Sequence, residues 1–291
     1  MTGGFDPALL AGKRVLITGG GTGLGRAMAL RFAELGAHLV ICGRRAEPLA
    51  QTAADVRAQG SVIETERCDI RDAAAVDAMM TRIFARAPLD ALVNNAAGNF
   101  LAQTHTLSPR AFDSVLNIVL HGSAYCTLGV GRRWIAAKRP GVVLSILTLS
   151  ALHGAAFTVP SAMAKAGLDA MTKSLAVEWG PHGVRLVAIA PGNFPTEGAS
   201  ARLTPQGKAQ GKAEGKAEGA QDVGVPLRRD GAHRELADLG AFLLSDLAGY
   251  ITGETIVIDG GKRWLGGART GAAALLDWTD EDWARQRAAS G

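Results

Sequence analysis

Residues 13–25 read KRVLITGGGTGLG, an apolar β-branched run that ends at Thr18 and gives way to five glycines in the next seven positions. Glycine there lets the backbone turn sharply and approach a pyrophosphate, whose charge is favoured by the N-terminus of a following helix. A glycine-rich triplet alone is a weak signal. Here it lies between the first strand and a helical pattern over 23–35, which is the placement a dinucleotide-binding turn requires.

The alternation continues outward. Strand-like runs occupy 13–18, 37–42, 61–65, 89–94, 141–147, 184–190 and 254–259, and helical patterns fill 23–35, 47–59, 73–86, 110–137, 161–179 and 233–245. Repeated βα units predict an α/β protein, a single Rossmann-type domain with a doubly wound parallel sheet of about seven strands and helices on both faces. At 291 residues and 47% hydrophobic, the chain can bury such a core.

Two segments depart from this pattern. Residues 204–225 contain GKAQGKAEGKAEG, a four-residue repeat with too little apolar content to pack. It follows the sixth strand, where loops cover the ligand crevice of such a sheet, so the segment reads as a mobile surface insertion and a candidate substrate lid. Lys208, Lys212 and Lys216 would attract anions there, with Glu214 and Glu218 diluting the charge. The tail, 262–291, carries Trp278 and Trp283 at near-helical spacing and is expected to dock on the body or on a partner subunit.

Composition argues against several classes. The net charge is +4, but 31 basic residues are scattered among 27 acids and only 5% of residues are aromatic, which argues against nucleic acid as a partner. Cys42, Cys68 and Cys126 form no CxxC pair and are too few for a disulfide framework, so reduced thiols and a cytoplasmic setting are expected. MTGGFDPALL has no signal-peptide pattern and RAASG is no peroxisomal address. Residues 141–164 lack charge across 24 positions, yet His153, Pro160 and several hydroxyls interrupt them, so a core strand and a site loop are expected there and no membrane span.

The second run ends Cys42-Gly43-Arg44-Arg45. About 20 residues beyond the glycines, an acid suits a ribose 2′-hydroxyl and an arginine a 2′-phosphate, so this ending favours NADP(H). Two exposed arginines at a helix start are the plain alternative, and Glu47 lies nearby. Further on, residues 159–172 read VPSAMAKAGLDAMT. Pro160 and Ser161 suit a helix opening with Ser161 as cap, and Ser161 and Lys165 then share one face. No acid accompanies them, which leaves the source of a proton open.

TGGGTGLG (18–25), CDIRD (68–72), NNAAGNF (94–100), the Ser-x-x-x-Lys pair, LAVEWG (175–180), PGNFPT (191–196) and IDGG (258–261) together resemble the short-chain dehydrogenase/reductases. More narrowly, they resemble the 2,4-dienoyl-CoA reductases, with NNAAGNF the most discriminating piece, and the likeness runs from about Lys13 to Trp283. It implies an NADPH-dependent reduction of 2,4-dienoyl-CoA thioesters to 3-enoyl-CoA in the oxidation of unsaturated fatty acids, by a homotetramer. Residue by residue, it implies that Gly19, Gly21, Thr22, Gly23, Leu24 and Gly25 hold the dinucleotide and that Arg44 takes the phosphate. Asp69 would meet the adenine, Lys165 the nicotinamide ribose, and Pro191, Gly192 and Phe194 would lie against the nicotinamide. Arg71, Phe100 and Ser108 would border the acyl-CoA, with Asn99 an amide donor at the reacting carbonyl.

The resemblance also explains Ser161, since most of the superfamily has Tyr four residues before the Lys and the dienoyl-CoA reductases have Ser. Those with a catalytic Tyr carry it eleven residues earlier, and here that position is Ser150. Tyr125 and Tyr250 match no catalytic position. The peroxisomal type also lacks this Tyr, and a dienoyl thioester whose oxygen gathers charge needs hydrogen-bond donors more than an acid of a particular pKa. Asn99 and Ser150 would donate, directly or through water, and water would protonate the carbon. Ser161 reads equally as cap and as ligand contact, Asp259 equally as an acid and as a turn residue, and His121 and His153 as structural. Two other readings stand beside the reductase: an oxidoreductase for another thioester or enone, and a catalytically silent NADP(H)-binding protein.

Overall fold

The computed structural model describes residues 5–203, 224–265, 275 and 278–290. Its first half alternates β1 (Arg14–Thr18), α1 (Gly23–Glu34), β2 (His38–Gly43), α2 (Ala46–Ala58), β3 (Ile63–Arg67), α3 (Ala73–Arg86) and β4 (Ala91–Asn94). There follow α4 (Pro109–Leu116), a π-helical turn (Asn117–His121), α5 (Gly122–Ala136), β5 (Gly141–Ile146), α6 (Ser150–His153), α7 (Val159–Trp179) and β6 (Val184–Pro191). The last elements are α8 (Glu197–Leu203), α9 (His233–Leu244), β7 (Thr255–Ile258), α10 (Lys262–Leu265) and α11 (Asp280–Ser290).

All seven strands are parallel, in the order β3-β2-β1-β4-β5-β6-β7. Strict alternation along each strand feeds two cores. Val15, Ile17, Ile41, Val93, Leu144 and Val187 pack on one face with Met28 and Phe32 of α1, Leu49 of α2 and Leu236 of α9. Leu16, Val40, Leu92, Val143 and Leu186 pack on the other with Met80 of α3, Trp134 of α5 and Trp179 of α7. Chain order reverses between β1 and β4, so the crevice beyond their carboxyl ends is where this class of sheet binds ligands.

Three differences from the sequence reading have physical causes. β3 runs to Arg67 and not 65, because Glu66, 6% exposed, is neutralised by Arg82 and Arg86 at 2.9 and 3.0 Å and so is carried in a strand. The helix expected over 110–137 is broken by the π turn. That turn sits where two approaches must be met together: Leu120 against Gly167 of α7, and Gly122 against Ile70, whose side chain would be 2.6 Å from any added Cβ. Finally, Ser161 does not cap α7: Thr158 holds the cap position, Pro160 is the second helical residue and Ser161 the third. Proline fits the first turn because its missing N–H is one that has no intrahelical partner anyway.

Cys42, Cys68 and Cys126 are buried free thiols in the second core. No helix among the described residues is long and apolar enough to cross a membrane. Of the insertion, 204–223 lies outside the described residues. In the tail, the Trp278 and Trp283 rings meet edge to face at 4.8 Å.

Candidate active site

The glycine turn is shaped by two hydrogen-bonding side-chain atoms. Thr18 Oγ1 accepts from the backbone N–H groups of Asn95 and Ala96, both at 3.0 Å, and Asn95 Nδ2 donates to the Thr18 carbonyl at 2.9 Å and the Gly19 carbonyl at 3.3 Å. β1 and β4 are thereby tied at the switch point. Gly19 and Gly23 have φ of +67° and +54°, and a Cβ on Gly25 would lie 2.3 Å from the Gly19 carbonyl oxygen, so α1 passes too close for any side chain. Thr22 caps α1 by position with no side-chain hydrogen bond, leaving the first helical N–H groups without a cap from it. Leu24 packs into the first core. Bare backbone at an uncapped helix start is what a dinucleotide pyrophosphate requires, so the turn fits the cofactor the sequence implied. Asn95 was not singled out from sequence, and its signal was the second residue of NNAAGN. Thr196 was also missed: its Cγ2 would lie 3.3 Å from a Cβ on Gly23.

Beyond β2 and β3, Arg44, Arg67, Cys68 and Asp69 line an open cleft of about 300 Å³. Asp69 is engaged by Arg71, whose Nε reaches its two oxygens at 2.9 and 3.0 Å and whose Nη2 lies 2.5 Å from Oδ2. That guanidinium holds the Asp69 carboxyl below its usual range. Arg71, expected beside the acyl-CoA, is thus bound to Asp69, the residue expected to meet the adenine. Arg45, at the N-cap position of α2, is exposed and does not line the cleft.

Lys165, Thr148 and Ser150 lie at the carboxyl end of β5. Lys165, 4% exposed, donates from Nζ to the Ile146 carbonyl at the strand end. Burial pushes its ammonium down to about 8. Two residues beyond that carbonyl, Thr148 Oγ1 lies 2.5 Å from Ser150 Oγ. Thr148 was not expected. Ser161 is 6% exposed in the first turn of α7, one turn before Lys165 on the same face. Asn99 Oδ1 accepts from the Phe100 backbone at 2.9 Å, which leaves its Nδ2 as donor, and Phe100 packs against the third core cluster beside Leu147 and Val115. Ser108 caps α4 through Ala111 N–H at 3.2 Å.

Along β6, Pro191 is the last strand residue, and Gly192 crosses so near Asp259 that a Cβ would lie 2.8 Å from its Cα. The Phe194 ring is packed over Gly231. Both Asp259 oxygens accept backbone N–H groups, from Gly261 and Arg263 at 2.9 Å each, which resolves that residue to a turn role. His153 is exposed, with Nδ1 3.0 Å from the Gly154 carbonyl oxygen, and His121 pairs with Asn117 at 2.9 Å. No group of three or more potential metal ligands forms among the described residues.

A buried ammonium, a hydroxyl pair and a glycine turn on a parallel sheet fit an oxidoreductase of the dinucleotide-binding class. Comparison with known proteins agrees. A family model described as enoyl-(acyl carrier protein) reductase matches residues 19–263. An uncharacterized oxidoreductase of Caenorhabditis elegans is 44% identical over 96% of this chain and 88% of its own. A probable 2,4-dienoyl-CoA reductase of the same organism, named as producing (3E)-enoyl-CoA, is 41% identical over 94% of this chain and 88% of its own. A probable 2,4-dienoyl-CoA reductase of Bacillus subtilis, named as producing (2E)-enoyl-CoA, is 41% identical over 87% and 97%. Among solved structures, a gluconate 5-dehydrogenase of Burkholderia cenocepacia in complex with NADP and tartrate superposes with a TM-score of 0.79 at 28% identity, covering 89% of this chain and 98% of that one. The chain belongs to the short-chain dehydrogenase/reductase superfamily and, within it, to the 2,4-dienoyl-CoA reductase family.

Proposed function

We propose that this protein reduces 2,4-dienoyl-CoA thioesters with NADPH to 3-enoyl-CoA. The observation that carries the reading is the Thr148–Ser150 hydroxyl pair, which begins two residues after the Ile146 carbonyl that holds buried Lys165, a set of hydrogen-bond donors and a positive charge with no phenol. Reduction of a carbonyl to an alcohol needs an acid for the new alkoxide, and a serine hydroxyl serves poorly. A conjugated thioester makes a lesser demand, because its oxygen needs stabilisation and the proton ends on carbon.

NADPH, when bound, supplies the hydride, which adds to the δ-carbon of the diene. The displaced π electrons move toward the thioester oxygen, where Asn99 Nδ2 and one hydroxyl of the Thr148–Ser150 pair donate hydrogen bonds. Lys165 binds the nicotinamide ribose hydroxyls, and its charge favours the electron-rich oxygen. Ser161 contributes a further hydroxyl within the same pocket. Protonation from water at the α-carbon leaves the double bond between the β- and γ-carbons, the 3-enoyl product; protonation at the γ-carbon would leave a 2-enoyl product. Arg44 supports the choice of NADP(H), and Phe100 and Ser108 border the acyl-CoA. One Rossmann domain acts within a cytoplasmic homotetramer.

The absence of a phenol favours a second reading, a dinucleotide-binding protein without turnover: Tyr125 lies in α5 beside His121, and Tyr250 is fully exposed. NADPH consumption with 2,4-hexadienoyl-CoA, beside NADH and a 3-ketoacyl-CoA, separates the readings, and NMR of the product fixes the double bond. Robust NADPH-linked turnover to 3-enoyl-CoA is expected. Tight NADPH binding without turnover would establish the silent protein.

A further inference from the structure

Around the cleft between the ends of β2 and β3, the charges do not balance. Asp69 is the acid in its lining, and Arg71 takes both of its oxygens. Arg44 and Arg67 have no acid within ion-pair distance among the described residues, in a structure where Arg14, Arg26, Arg31, Arg82 and Arg86 are all so paired. Arg67 Nε donates to the Arg44 carbonyl at 3.2 Å, so one arginine holds the backbone of the other. Cys68 adds no charge, since burial pushes its thiol up to about 11. The Arg44 charge acts on Asp69 through space, but among the described residues neither Arg44 nor Arg67 forms an ion pair, so two unpaired guanidiniums border one cleft, and a phosphate monoester carries close to two negative charges near neutral pH.

We infer that Arg67, the last residue of β3, is a second phosphate-selecting residue, closing on a ribose 2′-phosphate from the side opposite Arg44. This rests on the NADP(H) reading above and goes beyond it, because the arginine adjacent in sequence, Arg45, does not line the cleft and Arg67, 23 positions away, does. Arg71 has an accompanying part. By occupying Asp69 it removes the acid that would otherwise repel the phosphate and accept a free ribose hydroxyl.

Titration calorimetry of the whole protein with 2′,5′-ADP and with 5′-AMP tests this without turnover. Arg67 is exposed at a strand end, so its replacement leaves the core intact, and a thermal melt confirms it. Arg67→Gln should weaken 2′,5′-ADP about tenfold, the loss expected for one charge-assisted contact, while 5′-AMP stays within about twofold. Arg67→Lys should restore part of the loss, and added salt should shrink the gap between wild type and Arg67→Gln. Equal weakening of both nucleotides would overturn the inference in favour of a contact to adenosine or a shift of the Arg44 loop. No weakening of either would overturn it too. If wild type binds 2′,5′-ADP no tighter than 5′-AMP, the NADP(H) reading itself fails, an outcome separate from the other two.

Discussion

Thr148 Oγ1 and Ser150 Oγ lie 2.5 Å apart at the entry to α6, so one hydroxyl donates to the other and a single proton remains for anything bound beside them. The pair acts as one donor. Ser150→Ala and Thr148→Val should each lower kcat on 2,4-hexadienoyl-CoA by about a hundredfold, as loss of an oxyanion donor does. The double variant should be little slower than either single one, because one substitution removes the donor and the other removes the hydroxyl that orients it. Single-turnover rates measure this, with NADPH affinity unchanged throughout.

Lys165 makes a prediction with a definite sign. Burial lowers its folded-state pKa from 10.5 to about 8. Between those values the unfolded chain holds more protons than the folded one, so stability rises with pH across that window, and the penalty of the buried charge is fully present below it. Unfolding free energies of wild type and Lys165→Met should therefore converge or cross in favour of wild type from pH 8 to 10.5. In turnover the same variant should lose about two to three orders of magnitude in kcat.

Gly25→Ala is expected to abolish dinucleotide binding while the protein still folds. Its Cβ would lie 2.3 Å from the Gly19 carbonyl oxygen and 2.5 Å from Asn95 Nδ2, so the turn must open and both bonds of Asn95 loosen. NADPH fluorescence titration reads the loss, and a thermal melt reads the fold.

At the sheet edge, burial alone would raise the Glu64 pKa, but Arg14 at 2.6 Å and Arg86 at 2.7 Å outweigh it and hold the carboxyl below its usual 4.5. Its stabilising charge is present above that value and lost as pH falls through the depressed folded-state pKa. Glu64→Gln should destabilise the protein at pH 7, and the deficit should shrink under acid. Urea denaturation at two pH values checks it.

Much of this was legible in the sequence, for identifiable reasons. A strand buried on both faces reads as an unbroken apolar run, so VLIT and VVLSI declared themselves, and the positions of all seven strands followed from spacing. The extension of β3 did not, because Glu66 and Arg67 look like loop residues until Arg82 and Arg86 arrive from α3. Lys165 was legible through its motif, whereas Thr148 was not, since a threonine after a strand carries no pattern of its own. Of the two roles that Pro160-Ser161 suggest for Ser161, cap and ligand contact, the cap position goes to Thr158, because Pro160 fits the second helical position as well as the first. Arg44 was read from its distance to the glycines; Arg67 enters only through a strand pairing, Gly43 beside Arg67.

The three thiols have a use of a different kind. Cys42 and Cys126 are wholly buried and Cys68 nearly so, with every one raised above the usual thiol range. Cys68 borders the cleft beyond β3, but at Cys42 and Cys126 a disulfide reagent in the buffer meets no thiolate it can attack while the sheet stays closed. Its consumption thus becomes a clock for opening: the rate reports how often this layer parts from its helices, and a cofactor that staples the switch point should slow the clock in proportion to its own affinity.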